Sequence, residues 1–370
     1  MKPKSKIKFV NKDKSLFFPT LRKRVDRYFE ENNIPRTANA AMIVKSVVLL
    51  LCYIVPFVLL LALQPAMGVS LLLWFVMGLG VAGIGMSIMH DANHGAYSRN
   101  KNVNLLMGYT LNLVGGSAFN WKLQHNILHH TYTNVVDMDE DIQDRLVLRF
   151  SPHTKVKFFH KLQWLYAFSF YGLLTLYWVL AKDFVQFFLF KKNGVNANTE
   201  SQNRTWLLKL VLMKVVYLFV MLAMPVLFIG IPLLEVLLGF VLMHFVAGII
   251  LTVVFQLAHT VEGTSHPRPN DNGIIENDWA IHQLSTTVNF SRNNKFISWY
   301  VGGLNYQIEH HLFPRICHVH YPDISEIVRE TAAEFSIPYM ENDTFSQAVR
   351  SHIATLHRFG RLPSLNEAIG

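Results

Sequence analysis

The stretch VSLLLWFVMGLGVAGIGMSIMHDANH, Val69–His94, carries an apolar run directly into a pair of histidines. No charged residue interrupts Val69 to Met89, and at about 1.5 Å per residue such a run crosses the hydrocarbon core of a bilayer as a helix. His90 and His94 follow, four apart, so on a helix continuing from the span their rings stack on one face. A membrane helix thus delivers two imidazoles just beyond its end.

Further apolar runs surround this one. Residues 41–63 and 69–89 form a first hairpin joined by the short turn 64–68, and residues 207–229 and 233–257 a second, joined at Gly230-Ile231-Pro232. Another run, 162–180, is rich in Trp and Tyr, the composition of a membrane interface rather than of a lipid-buried centre. Neither hairpin turn carries Lys or Arg, whereas the N-terminus, 145–161 and 182–214 carry many. The positive-inside rule then puts both turns outside and all other segments in the cytosol. The 162–180 run must be interfacial or re-entrant, because a further crossing would divide the histidines between the two sides. The expected fold is an all-α integral membrane protein, with four transmembrane helices in two hairpins, an interfacial helix and a cytosolic helical cap. Its expected organisation is a basic cytosolic segment 1–40, a membrane domain 41–330 and a cytosolic tail 331–370.

Composition supports a membrane protein: of 370 residues, 51% are apolar and 16% charged, with mean hydropathy +0.24. The formal charge of +9 sits where lipid headgroups would lie, so it implies a membrane surface and no nucleic acid. The opening MKPKSKIKFVNKDK lacks the apolar core and cleavage site of a signal peptide, which keeps the N-terminus cytosolic. Cys52 and Cys317 provide neither a disulfide framework nor a CxxC metal site.

Seven of the 17 histidines fall in three short windows: His90 and His94; His125, His129 and His130; His310 and His311. Adjacent histidines point about 100° apart on a helix, so such a pair can reach two metals or two sides of one. Imidazole suits iron, zinc or copper rather than calcium or magnesium. Zinc is usually satisfied by three or four ligands, so seven candidates point to a polynuclear site. Histidines that merely cap helices or sit at headgroup level would not cluster three times.

The order HxxxH, HxxxHH, QxxHH, with a hairpin before the first and another between the second and third, resembles the membrane fatty-acid desaturases. GLNYQIEHHLFP at 303–314 is similar to the third box of front-end desaturases, and RICHVHYP at 315–322 to bacterial linoleoyl-CoA (Δ6-like) desaturases. The resemblance covers about residues 36–330. It implies two non-haem iron ions, with O2 as co-substrate, that remove two hydrogens from an acyl chain carried on CoA or a lipid. The implied ligands are His90, His94, His125, His129, His130, His310 and His311, with Gln307 in the third-box ligand position and His259 as the eighth histidine, expected at the end of the last span. A separate ferredoxin or cytochrome b5-like donor is also implied, since an HPGG motif is absent from the sequence. The expected location is a bacterial inner membrane, with the active site on the cytosolic side.

Other residues carry weaker expectations. His282 is not a fixed part of the front-end pattern, and His318 and His320 read as groups behind the ligands or at the surface. His244, about 22 Å along the helix from His259, reads as a hydrogen-bonded residue between helices, with a place near the acyl tunnel as the alternative. Gly78, Gly80, Gly83 and Gly85 suggest close helix packing, or a groove for the chain. Asp137, Asp139, Glu140, Asp141 and Asp144 read as a solvated face, or as carboxylates orienting metal-bound imidazoles. The rival activities are a histidine-box hydroxylase or ketolase acting on a lipid, favoured less by the glutamine-led third box, and a metal transporter or sensor, which would want ligands inside its spans.

Overall fold

The computed structural model describes residues 7–11, 14–142 and 147–365. Four helices are long and apolar enough to cross a membrane: Ala40–Leu63, Met67–His94, Glu200–Ile229 and Leu233–His259. Strands among the described residues are two-residue parallel pairs, Lys8–Phe9 with Ile274–Ile275 and Asn289–Phe290 with Glu341–Asn342. The all-α membrane architecture expected from hydropathy is the one found. Large apolar side chains project from the spans, among them Val44, Val58, Leu208 and Leu234, each more than half exposed. Lipid is the surrounding that such faces fit.

The helix ends explain where the spans outrun their apolar runs. The Asn39 side chain accepts from Met42 N at 3.1 Å and caps the first span. Thr199 and Gln202 form a reciprocal capping box, so the third span starts at Glu200, on polar residues ahead of its apolar run. Met67–His94 passes through a π-helical turn at Ile84–Ile88, continues beyond Met89 and carries the first histidine pair at its end. The aromatic run is not one straight helix: Phe158–Gly172 and Leu174–Lys192 meet at a bend of 52°.

The chain forms two compact units. The first comprises Asn39–Leu123 and Ser169–Val253. Its glycines serve close packing. A Cβ on Gly80 would lie 2.9 Å from Tyr53 N, and one on Gly78 would lie 2.7 Å from the Met243 carbonyl. His244 is fully buried, with Nε2 2.9 Å from the Tyr217 hydroxyl and Nδ1 3.2 Å from Thr175 Oγ1, so it is the hydrogen-bonded residue between helices that was expected.

The second unit takes the chain up to Ala38, then Gln124–Phe168, then everything from Val254. Phe17, Leu21, Val25 and Phe29 recur every fourth residue along Phe17–Glu31 and enter its apolar core with Leu284, Ile308, Leu312, Tyr321 and Val328. The N-terminal stretch and residues beyond 330, including Ala332, therefore contribute to the core behind the third histidine box.

Candidate metal centre

In the second unit the histidines are presented by three elements. Lys122–His129 is a π-helix, whose i→i+5 bonding brings residues four and five apart to either side of one another. His125 therefore meets both successors: its ring centroid is 5.1 Å from that of His129 and 4.7 Å from that of His130, and its Nε2 is 3.2 Å from His130 Nε2. An ordinary α-helix would have turned His130 about 140° away from His125. The third box lies on Gln307–Leu312, where Ile308 and Leu312 enter the core. His259 ends the last span.

These elements bring the imidazoles into two adjoining groups. His129, His259 and His311 form one and His130, His310 and His311 the other; within each, one ligand atom per residue lies within 4.8 Å of the others. Gln307 is buried and its side chain interacts with the His259 ring. In the first unit His90 and His94 come together on one helix face, with ring centroids 4.8 Å apart, and the Trp121 indole packs edgewise 5.6 Å from each.

The donor set fits a metal pair, because the other ring nitrogen of the key histidines is already engaged. Nδ1 of His129 lies 3.1 Å from Asp139 Oδ2, Nδ1 of His259 3.2 Å from the Thr286 carbonyl, Nδ1 of His310 3.1 Å from the Tyr321 hydroxyl, and Nδ1 of His311 2.8 Å from Gln283 Oε1. Donation from Nδ1 to an oxygen fixes the neutral tautomer and leaves the Nε2 lone pair to bind metal. An oxygen behind the imidazole is the arrangement that metal-ligating histidines use to fix their tautomer and ring orientation.

Asp139 fits the second of the two readings of the acidic run, a carboxylate orienting an imidazole, and not that of a solvated face. It is fully buried and also accepts from Asn134 N at 3.0 Å, and Glu140 is buried beside it, whereas Asp137 is exposed; Asp144 lies outside the described residues. Sequence reasoning passed over Gln283, Thr286 and Tyr321, and nothing in their local patterns marks them. It also passed over Glu309, whose carboxylate accepts from Asn289 Nδ2 at 2.8 Å and the Tyr339 hydroxyl at 2.9 Å, tying the third box to the 289–290/341–342 strand pair. Burial pushes the Glu309 carboxyl up to about 7, against the opposing pull of those two hydrogen bonds.

The remaining histidines stand apart from these groups. His282 packs on Phe9, ring centroids 4.8 Å apart, and burial lowers its pKa to about 4. His318 and His320 are buried, not at the surface, and His320 Nε2 lies 3.1 Å from the Thr37 carbonyl.

Comparison with known proteins agrees with this site. Residues 68–342 match the fatty acid desaturase family. The chain is 36% identical over 347 residues to an sn-1 linoleoyl-lipid 6-desaturase of Arthrospira platensis, covering 94% of this chain and 93% of that protein. It is 34% identical to the protein of the same description from Synechocystis sp., covering 96% and 98%. An acyl-lipid (8-3)-desaturase of Physcomitrium patens is 34% identical, over 96% of this chain and 74% of that protein. The chain belongs to the fatty acid desaturase family, and is thus a membrane oxidoreductase acting on a fatty-acyl or lipid substrate.

Proposed function

We propose that this desaturase inserts a cis double bond at carbon 6 of a linoleoyl chain held in a lipid, between the existing double bonds and the carboxyl end. The observation that carries the reading is the paired histidine group with its engaged Nδ1 atoms; the relatives described as linoleoyl-lipid 6-desaturases support the regiochemistry and the lipid carrier. The ligands are His90, His94, His125, His129, His130, His259, His310 and His311, with Gln307 in the remaining position. Two non-haem irons held by them would supply O2 activation for removal of two hydrogens from an unactivated acyl carbon pair, using electrons from a separate ferredoxin or cytochrome b5-like protein. Asp139, Thr286, Tyr321 and Gln283 hold the imidazoles in the binding tautomer. The site faces the cytosol of a bacterial inner membrane. Lys182 and Lys214 are buried and drop out of the headgroup charge, but Lys191, Lys192, Arg204 and Lys209 stay exposed in support of that orientation.

Lipid profiling of a host expressing the chain and fed linoleate tests the reading: a new double bond at carbon 6 is expected, and one placed toward the methyl end from the existing bonds would sink it. Asp139→Ala is expected to weaken ferrous ion binding by about 10- to 100-fold, the usual loss when a ligand's orienting partner is removed. Iron titration of the purified protein checks this, and native affinity would take Asp139 out of that role.

A further inference from the structure

The first unit contains an ion pair that the proposed chemistry does not use. Lys214, within the Glu200–Ile229 span, and Asp183 are both buried, with Nζ 2.6 Å from Oδ2. Ionisable groups at such a depth are costly and call for a specific role. Their hydrogen bonds show what they grip. Lys214 Nζ spends its three donors on Asp183, on the Gly115 carbonyl at 2.7 Å and on the Trp178 carbonyl at 3.0 Å. Asp183 Oδ2 also accepts from Ser117 N at 3.0 Å, and Oδ1 accepts from Trp178 Nε1 at 3.0 Å. Asn120 Nδ2 donates to the Asp183 carbonyl at 2.6 Å. With the lysine's donors all spent and both groups buried, the pair is built to hold protein segments and not a ligand.

The segment it holds leads to the first histidine box. Ser117 Oγ accepts from Asn120 N and caps the turn Ala118–Trp121, and Trp121 ends that turn with its indole 5.6 Å from both His90 and His94. One flat wall contacts both rings, so neither imidazole can swing toward Trp121 unless the 115–121 corner moves. We propose that the Asp183–Lys214 pair is a positioning device for the first box, locking the corner through Gly115, Ser117 and Asn120 so that Trp121 fixes the His90 and His94 rings. This rests on the reading of those histidines as iron ligands.

The test uses the full chain in detergent and three changes: Asp183→Asn with Lys214→Met, which removes the pair without stranding a charge; Asn120→Ala, which keeps the pair and its holds on Gly115 and Ser117 but cuts the Asn120 link; and Trp121→Leu, which removes the wall. Each is read by ferrous affinity, by the ligand-field spectrum of the cobalt(II)-loaded protein, and by thermal unfolding without metal. Ferrous affinity is expected to fall at least about tenfold in the double and Trp121 variants and by less in Asn120→Ala, with shifted cobalt bands and near-native unfolding of the Asn120 variant. Adding Trp121→Leu to either of the other changes should cost little more, since all act along one path. Native affinity and spectrum in Trp121→Leu overturn the proposal, even if the double variant fails to fold. An altered product chain length with intact iron affinity overturns it too, in favour of a tunnel role. A native chain that binds no iron defeats the iron reading itself and this inference with it, whereas native iron binding with indifferent variants defeats only the positioning role.

Discussion

His259→Ala is expected to leave a folded membrane protein that has lost about half of its iron and more than about 100-fold of its desaturation rate, a larger effect than removal of a partner behind a ligand. Alanine is a strong helix former, so the end of the Leu233–His259 helix should persist. What goes is an imidazole whose ring lies 4.8 Å from that of His129 and 4.9 Å from that of His311, with Nδ1 held by the Thr286 carbonyl. The His129–His259–His311 group is then one donor short, while the neighbouring group of His130, His310 and His311 keeps all its members. Iron per chain should therefore fall toward half before activity is considered, and exogenous imidazole, filling the space left, should restore part of both. Metal analysis of detergent-purified protein beside a reductant- and O2-dependent assay gives the answer. Full iron occupancy with native turnover would remove His259 from the ligand set.

That residue also marks how far the sequence could be read. Long apolar runs made the four spans legible, and the spacing within the boxes made the candidate metal centre legible, because both signals lie in consecutive residues. His259 stands alone at a helix end and carries no such pattern; only the family resemblance singled it out. Three further features were hidden, two because they depend on contacts between residues well apart in the chain and one because it is a fine detail of helix geometry. Asp139 looks like one acid in an acidic run until the fold buries it against His129. Lys214 looks like headgroup charge until Asp183, 31 residues away, is seen to share its site. The π-helix at Lys122–His129 differs from an α-helix by one residue per hydrogen-bonded turn, a difference that hydrophobic periodicity does not register.

The glycines of the second span provide the other large effect, one on stability. Gly80→Leu is expected to disrupt the first hairpin, because the first added carbon would lie 2.9 Å from Tyr53 N and 3.0 Å from Cys52 C, both backbone atoms of the facing helix. Neither can turn aside as a side chain would, so the helices must separate. Overpacking typically costs about 1–3 kcal/mol where side chains can adjust, and a contact with backbone should exceed that range. Gly83→Leu should be milder: its added carbon meets the Leu49 side chain, which can change rotamer. Gly68→Ala, with no atom within 4 Å of the new carbon, should be close to neutral. Unfolding midpoints in detergent should therefore fall in the order Gly68→Ala, Gly83→Leu, Gly80→Leu, the last accompanied by a collapse in yield. The ranking also separates packing from a groove for the substrate. If Gly83→Leu kept native stability but shortened the acyl chains accepted, that position would line the chain's path; if stability fell with chain-length preference unchanged, the glycines would serve only to let the helices approach.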